Sequence, residues 1–445
     1  MDVPEVGVTP ARRDGVTPAR RDGVTLARRD GVAPYPITTR VLTLLTAALM
    51  AACGTADVPA TVTMRDSAGV AVIDHGRVPL DALPRLQLAP EAIVRIGVAD
   101  GDEAYQFNRI ADGTLRGDGS IAVIDASRTL RVFDPDGTLR WSAGRSGDGP
   151  GEFRAPLRVD ALPATGEAPD TLVVWDARHG RFSRFVEATG LVGSSTLPSL
   201  AGRALWLGQL AGGEALFEAR AAERTTVGSR QAIDSRSTML QVDAARDQIT
   251  ELATHPQAPQ YQEANDPDGA FSQAIFAAFV RYAPAGDGYW LADPERAEVQ
   301  RLGLDGSRRI VRWRGDERPV TSADVDAALA VWLSAARDDA VRELIRRYAA
   351  VHPRAARFPA FDTLLVASDG ALWLRDFVPE HEDDGVRHWT RITADGRAIT
   401  TRLVHPASVR LLRVRGEEEV LGVERDELDV ERVVRYRLQR VTGGR

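Results

Sequence analysis

The 445-residue chain contains no lysine, so its 56 basic residues are all arginine, and it contains a single cysteine, Cys53. Without lysine there is no Schiff-base nucleophile and no Walker-type phosphate loop, since both chemistries need that ammonium group. One cysteine permits no internal disulfide. The chain has no apolar run of the roughly 20 residues that a helix needs to cross a bilayer. Its seven histidines (His75, His179, His255, His352, His381, His388 and His405) form no HExxH pair, and no G-x-S-x-G nucleophile elbow occurs. A basic excess is missing as well. Against 63 acidic residues the net charge is -7, the wrong sign for a surface that tracks phosphates, and no nucleic-acid partner is expected.

What is present divides into an address and a repeat. Residues 7–30 are a tandem octapeptide, GVTPARRD, GVTPARRD and GVTLARRD. Each copy offers too few apolar side chains to build a core, so residues 1–39 are expected to be a disordered or untranslated extension. The alternative is a basic arm of Arg12, Arg13, Arg20, Arg21, Arg28 and Arg29, diluted by Asp14, Asp22 and Asp30. After Arg40 an apolar run extends from Val41 to Ala52. Its length and its small residues at the exit fit the h-region of a signal peptide, residues 40–52. Cys53 follows directly, and residues 53–61 read as a short tether.

From residue 62 onward one plan recurs: a turn, alternating apolar positions, then an acid. The copies are SIAVID ending at Asp125, TLVVWD at Asp176, GYWLAD at Asp293 and ALWLRD at Asp376. Apolar residues stand two and four places before each acid (Val123 and Ile121, Val174 and Leu172, Leu291 and Tyr289, Leu374 and Leu372), the period of a strand. A second strand follows each one, starting near Arg131, Arg184, Arg301 and Arg391 and closing on a glycine turn. A weaker copy is placed at residues 203–255 and a last one at EVLGVE, ending at Glu424. Units of about 50 residues with three or four short strands are what propeller blades require. The expected fold is an all-β, six-bladed β-propeller over residues 62–445, with residues 62–98 completing the last blade so that no strand edge is left unpaired; the alternative is a seventh unit at GVAVID, ending at Asp74, which lacks the arginine-turn half. One inserted amphipathic helix, with a bend near Asp338-Asp339, is expected over residues 321–350. It has no glycine or proline, a capping box at Thr321 and Asp324, and apolar residues at helical spacing, among them Val325, Leu329, Trp332, Val341, Leu344, Ile345 and Tyr348. Its stripe is expected to pack across one face of the propeller between units four and five, with a lid over a central pocket as the sharper reading.

Two resemblances add to this reading. Leu49-Met50-Ala51-Ala52-Cys53 resembles the lipobox of bacterial lipoproteins, departing from it at Met50, where leucine is commonest. The resemblance implies cleavage before Cys53, a lipid on its sulfur, and a membrane as partner; an ordinary signal peptide that happens to contain a cysteine is the alternative. Gly54, in place of a retention aspartate, implies the outer membrane facing the periplasm or the cell surface. Gly144 to Pro156, GRSGDGPGEFRAP, with a fainter echo from Gly97 to Phe107, is similar to the connections of the NHL-like six-bladed propellers. With the DSAGV opening from Asp66 to Val70, the whole layout resembles propeller lipoproteins of bacterial envelopes. These resemblances imply a fold and an address, and little about activity.

Candidate chemistry is sparse. The Gly144–Gly151 loop precedes a strand and lacks a lysine, which argues against phosphate. Asp134-Pro135-Asp136-Gly137 and Asp266-Pro267-Asp268-Gly269 resemble pieces of calcium loops without the later ligands, so tight turns are expected. Asp125, Asp176, Asp293 and Asp376 either ring the central channel as a cation site or accept hydrogen bonds from adjoining turns, the second being favoured. His381 and His388 share a loop with Glu380, Glu382, Asp383 and Asp384, where zinc or copper is weighed against a solvated acidic loop. The expectation is a monomeric, membrane-anchored module that binds a protein or small-molecule ligand, without cofactor and with no catalytic residues assigned. A metal-dependent hydrolase or lyase of the lactonase kind, its ion at the channel mouth, is the alternative. Apolar and arginine side chains filling the channel favour the module; three or more converging carboxylate, amide or imidazole groups favour the enzyme.

Overall fold

The computed structural model describes residues 62–162, 170–227, 230–262, 272–315 and 317–441. The octapeptide repeats, the apolar run, Cys53, the tether and the Asp266–Gly269 turn lie outside the described residues. The described part is an all-β propeller with a helical insertion. Among the described residues, six four-stranded antiparallel units follow one another, at 110–143, 156–196, 204–256, 281–314, 361–406 and 409–440. In the last of these the fourth strand comes from Val94–Ile96, which pairs with Glu431–Arg440. The six inner strands are Ile110–Leu115, Pro156–Leu162, Ala204–Gln209, Arg281–Pro284, Phe361–Val366 and Val409–Arg415. Each touches the next, and the last touches the first, so the ring is closed.

Closure is more economical than the sequence reading expects. Of the segment 62–98, Arg85–Leu88 and Val94–Ile96 pair with Glu431–Arg440 of the last unit. Arg85–Leu88 lies on the rim, parallel to Ile399–Pro406 of the fifth unit and antiparallel to Glu431–Arg440. Thr63–Ser67 and Val70–Arg77 belong elsewhere: Val70–Arg77 runs parallel to Arg308–Arg314, the outer strand of the fourth unit. That outer edge would otherwise expose unpaired backbone groups, and Val72 and Ile73 are buried in covering it.

The alternating segments occupy the second strand of their units. Ile121–Asp125 is buried at every position, as a strand sandwiched between neighbouring blades must be. Trp175, Trp290 and Trp373 are fully buried in the equivalent strands. The Gly144–Pro156 connection has a packing purpose. It carries Phe153 into the seam between the first two units, among Ile124, Leu130, Val132, Val159 and Val174, with its ring 6.0 Å from Phe185. Gly144 lies at φ +86°, and a Cβ there would sit 2.4 Å from the Phe153 ring. Gly144→Ala is therefore expected to cost about 2–3 kcal/mol in urea unfolding, from a strained dihedral and a displaced core ring. In the fainter echo Phe107 and Tyr105 pack on Phe133 in the same manner.

The insertion is two helices, α1 (Ser322–Ala335) and α2 (Asp339–Val351), and the bend expected near Asp338-Asp339 is a full break. The break is dictated locally. Ala336 leaves the helical region at ψ 126°, and Asp338 is the N-cap of α2, its side chain accepting from the Val341 N–H. The capping box between Thr321 and Asp324 is present. The expected apolar stripe is only half-buried, and Leu344 is exposed.

Candidate functional site

Two places gather charged groups: the central channel and the seat of the helical insertion. The channel is a cavity of about 360 Å³, a size suited to a small ligand. Its walls come from five of the six inner strands and mix apolar side chains, among them Leu207, Tyr282, Leu364 and Leu412, with the polar Arg158, Asp160, Gln209 and Arg413. Gly208, at φ +140°, lies where a Cβ would come within 2.8 Å of Pro284 and 3.0 Å of Arg158. A side chain there would have to displace Pro284 or Arg158.

The polar groups of the channel are already paired. Arg413 holds Asp112 with both terminal nitrogens at 2.9 Å, and one of them also donates to Asp160 at 2.9 Å and to the Val159 carbonyl at 3.0 Å. Arg158 donates to both oxygens of Asp160, at 3.0 and 3.3 Å, while its guanidinium lies 5.4 Å from the Trp206 ring. Asp112 accepts a further bond from the Val159 N–H. Burial pushes the Asp160 carboxyl up, but Arg158 and Arg413 outweigh it and hold it below the ordinary aspartate value. Burial alone would lower the Arg413 pKa; the two aspartates reverse that and raise it. The result is a charge-neutral cluster of two guanidinium and two carboxylate groups, arranged as bidentate and shared hydrogen bonds. Sequence reading missed all four residues. They stand on inner strands outside the recurring pattern, and only closure of the ring brings Arg413 to Asp112.

The repeated acids take the structural role. Asp125 is fully buried and accepts from the Asn108 and Ser127 N–H groups and from Arg131. Asp176, equally buried, accepts from Arg154, Ala155, Arg178 and His179 N–H groups. Asp293 accepts from the Glu295 N–H, and Asp376 is held by Arg402 at 2.6 Å. Asp125, Asp176 and Asp293 each pin a connection to the end of their own strand, whereas Asp376 is bound by side chains of Thr390 and Arg402 on the following strands of its unit. Asp134-Pro135-Asp136-Gly137 is a tight turn, closed by the Gly137 N–H on the Asp134 carbonyl.

The acidic loop is divided. His388 stands on the strand Val386–Ile392, and His381 turns instead toward α1. There the His381 Nε2 lies 3.7 Å from Asp324 and 3.8 Å from Glu382. Glu382 also receives both terminal nitrogens of Arg318, at 2.8 and 2.6 Å. The Trp332 indole N–H donates to Glu380 at 2.7 Å, fastening α1 to the same loop. At the far side the Tyr348 hydroxyl donates to the Gln273 carbonyl. The insertion is thus seated on the connections before the fourth unit and within the fifth.

No protein-family model matches the sequence, and no curated protein does. Among solved structures, similar folds include a protein of Bacteroides fragilis described as an exported-protein candidate (9% identity, 83% of this chain and 99% of that one, TM-score 0.43). Virginiamycin B lyase from Staphylococcus aureus is another (10%, 80% and 100%, TM-score 0.38), as is Raptor from Chaetomium thermophilum (10%, 81% and 30%, TM-score 0.36). Likeness at this level transfers no residue and no activity.

Proposed function

We propose that the chain is an exported lipoprotein of the bacterial envelope whose six-bladed propeller binds a ligand or partner protein as a monomer, without catalysing a reaction. One observation carries the binding reading: Asp160, the carboxylate on the cavity wall, and Asp112, which shares Arg413 with it, are both committed to guanidinium groups. A metal site needs net negative charge converging on one point, whereas here two guanidinium groups cancel both carboxylates and no imidazole is among the described residues lining the cavity. The remaining walls, with Leu207, Leu364 and Leu412 among them, add apolar contact beside that polar cluster, so a ligand would meet both.

The address rests on Arg40, the apolar run from Val41 to Ala52, and Cys53 as the acceptor of lipid. Cys53→Ser is expected to move the protein from the membrane pellet to the soluble fraction. Retention in the pellet would refute the anchor. Metal content separates the binding module from a channel-mouth hydrolase or lyase. A His381→Gln variant, which disables the cluster beside α1, is expected to bind under about one-tenth of an equivalent of zinc or manganese. A full equivalent that vanishes on adding Asp160→Asn would convert the reading to a metal-dependent enzyme.

A further inference from the structure

We infer that Asp324, His381 and Glu382 form a binding site for a first-row divalent cation, zinc by preference, which clamps the helical insertion to the fifth blade. This inference does not rest on the binding reading of the channel. Its ligands stand on different connections, and its ion would serve the insertion.

The first observation is an imidazole without partners. His381 has a side chain only 10% exposed, and neither ring nitrogen has a hydrogen-bond partner. Burying such a group unpaired costs about 1–3 kcal/mol, so a buried orphan calls for a ligand. The second observation is where the ring points. One oxygen each of Asp324 and Glu382 lies with a His381 nitrogen inside a sphere of contacts, all within 4.8 Å of one another. The Nε2 distances of 3.7 and 3.8 Å exceed a hydrogen bond. They are close to what a shared ion needs: with bonds of about 2.0–2.2 Å at a tetrahedral centre, neighbouring ligand atoms stand roughly 3.3–3.6 Å apart.

The carboxylates are prepared for the task. Asp324 uses Oδ2 to accept from the Thr321 N–H and hydroxyl, which leaves Oδ1 as the atom facing His381. Those bonds hold its carboxyl below the ordinary value, and Arg318 does the same for Glu382, so both are anionic at neutral pH. Each oxygen has two lone pairs, so the Glu382 oxygen that accepts from Arg318 retains one for an ion. The three ligands and Arg318 sum to one negative charge with His381 neutral. Phe276, whose ring centre is 6.1 Å from His381, and Phe358, beneath Arg318 at 4.8 Å, keep water from one side. One imidazole and two carboxylates suit zinc and its neighbours; calcium and magnesium prefer all-oxygen shells of six or more. Three protein ligands leave a fourth position for water.

The test uses the full-length chain, equilibrated with micromolar zinc, desalted and assayed by elemental analysis. About one equivalent is expected in the unaltered protein and under one-tenth in His381→Gln, with His388→Gln retaining the full amount. Cobalt(II) titration of the unaltered protein reads the site without any substitution. Visible ligand-field bands that zinc displaces are expected. Zinc near zero in the unaltered protein, equal zinc in His381→Gln, or cobalt bands absent would each overturn the site. Circular dichroism of the variant separates loss of ligand from loss of fold.

Discussion

Arg413→Met is expected to destabilise the propeller by about 3–5 kcal/mol, because it removes one partner from a cluster of desolvated charges and leaves the others. Arg413 is the only group in contact with both Asp112 and Asp160 among the described residues, and it joins inner strands of the first, second and sixth units. Without it Asp112 loses both guanidinium bonds and keeps only the Val159 N–H. Asp160 keeps Arg158, so the larger injury falls on Asp112. Adding Asp112→Asn to Arg413→Met should recover a substantial part of the loss, since the amide removes the orphaned charge. Urea unfolding of the single and double variants measures the coupling. A loss below about 1 kcal/mol for Arg413→Met would mean that lumen water solvates the aspartates well. The channel carboxylates would then be available to a ligand or ion, and the binding reading would lose its chief support.

The same cluster marks the limit of what could be read from residues alone. Strand periodicity and turns located the units well, including the weak third one at Ala204–Gln209 and after, because each blade repeats a local pattern. The acids at 125, 176 and 293 are legible as acceptors for adjoining turns for the same reason, while Asp376 pairs with Arg402 across its own blade instead. Ring closure was harder. Residues 70–77 alternate like any blade strand, and nothing local tells them to join the fourth unit by a parallel pairing instead of the sixth. Asp112, Asp160 and Arg413 carried no signal, since ionic partners some 250–300 positions apart are defined only by the closed ring. His381 and Glu382 are legible as neighbours in one acidic loop, while His388, grouped with them, stands apart on the strand Val386–Ile392. The cap at Asp324, read for helix geometry, is what brings the second carboxylate to His381.

Stability is expected to fall by about 3 kcal/mol through one histidine as the pH drops from 6.5 toward 4, and His405→Gln should remove that component. His405 is buried, and its imidazole is fixed on both sides. The Trp389 indole N–H donates to Nε2 at 2.8 Å, and Nδ1 lies 2.8 Å from the Pro406 carbonyl. An indole can only donate, so Nε2 must accept, and the proton of the neutral ring sits on Nδ1. A second proton would displace the tryptophan bond and charge a ring that is out of water. Burial is the largest cause of the depressed pKa, with Arg375, Arg387 and His388 adding repulsion and the Pro406 carbonyl opposing them; the value falls from 6.5 to about 4. Because the folded value lies below the unfolded one, the unfolded chain takes the proton first. The contribution is complete above pH 6.5, declines as the pH falls, and is gone below about 4. His255, also lowered by burial, acts in the same direction, so the total slope belongs to more than one group. The difference between the unaltered protein and His405→Gln isolates the one. Glutamine can still accept from Trp389, which keeps the two proteins comparable at pH 7. Parallel stability curves for the two between pH 6.5 and 4.5 would show that His405 is solvated in the folded chain, and that the fifth blade is less tightly closed around Trp389 than the packing of Leu403 and Val409 indicates.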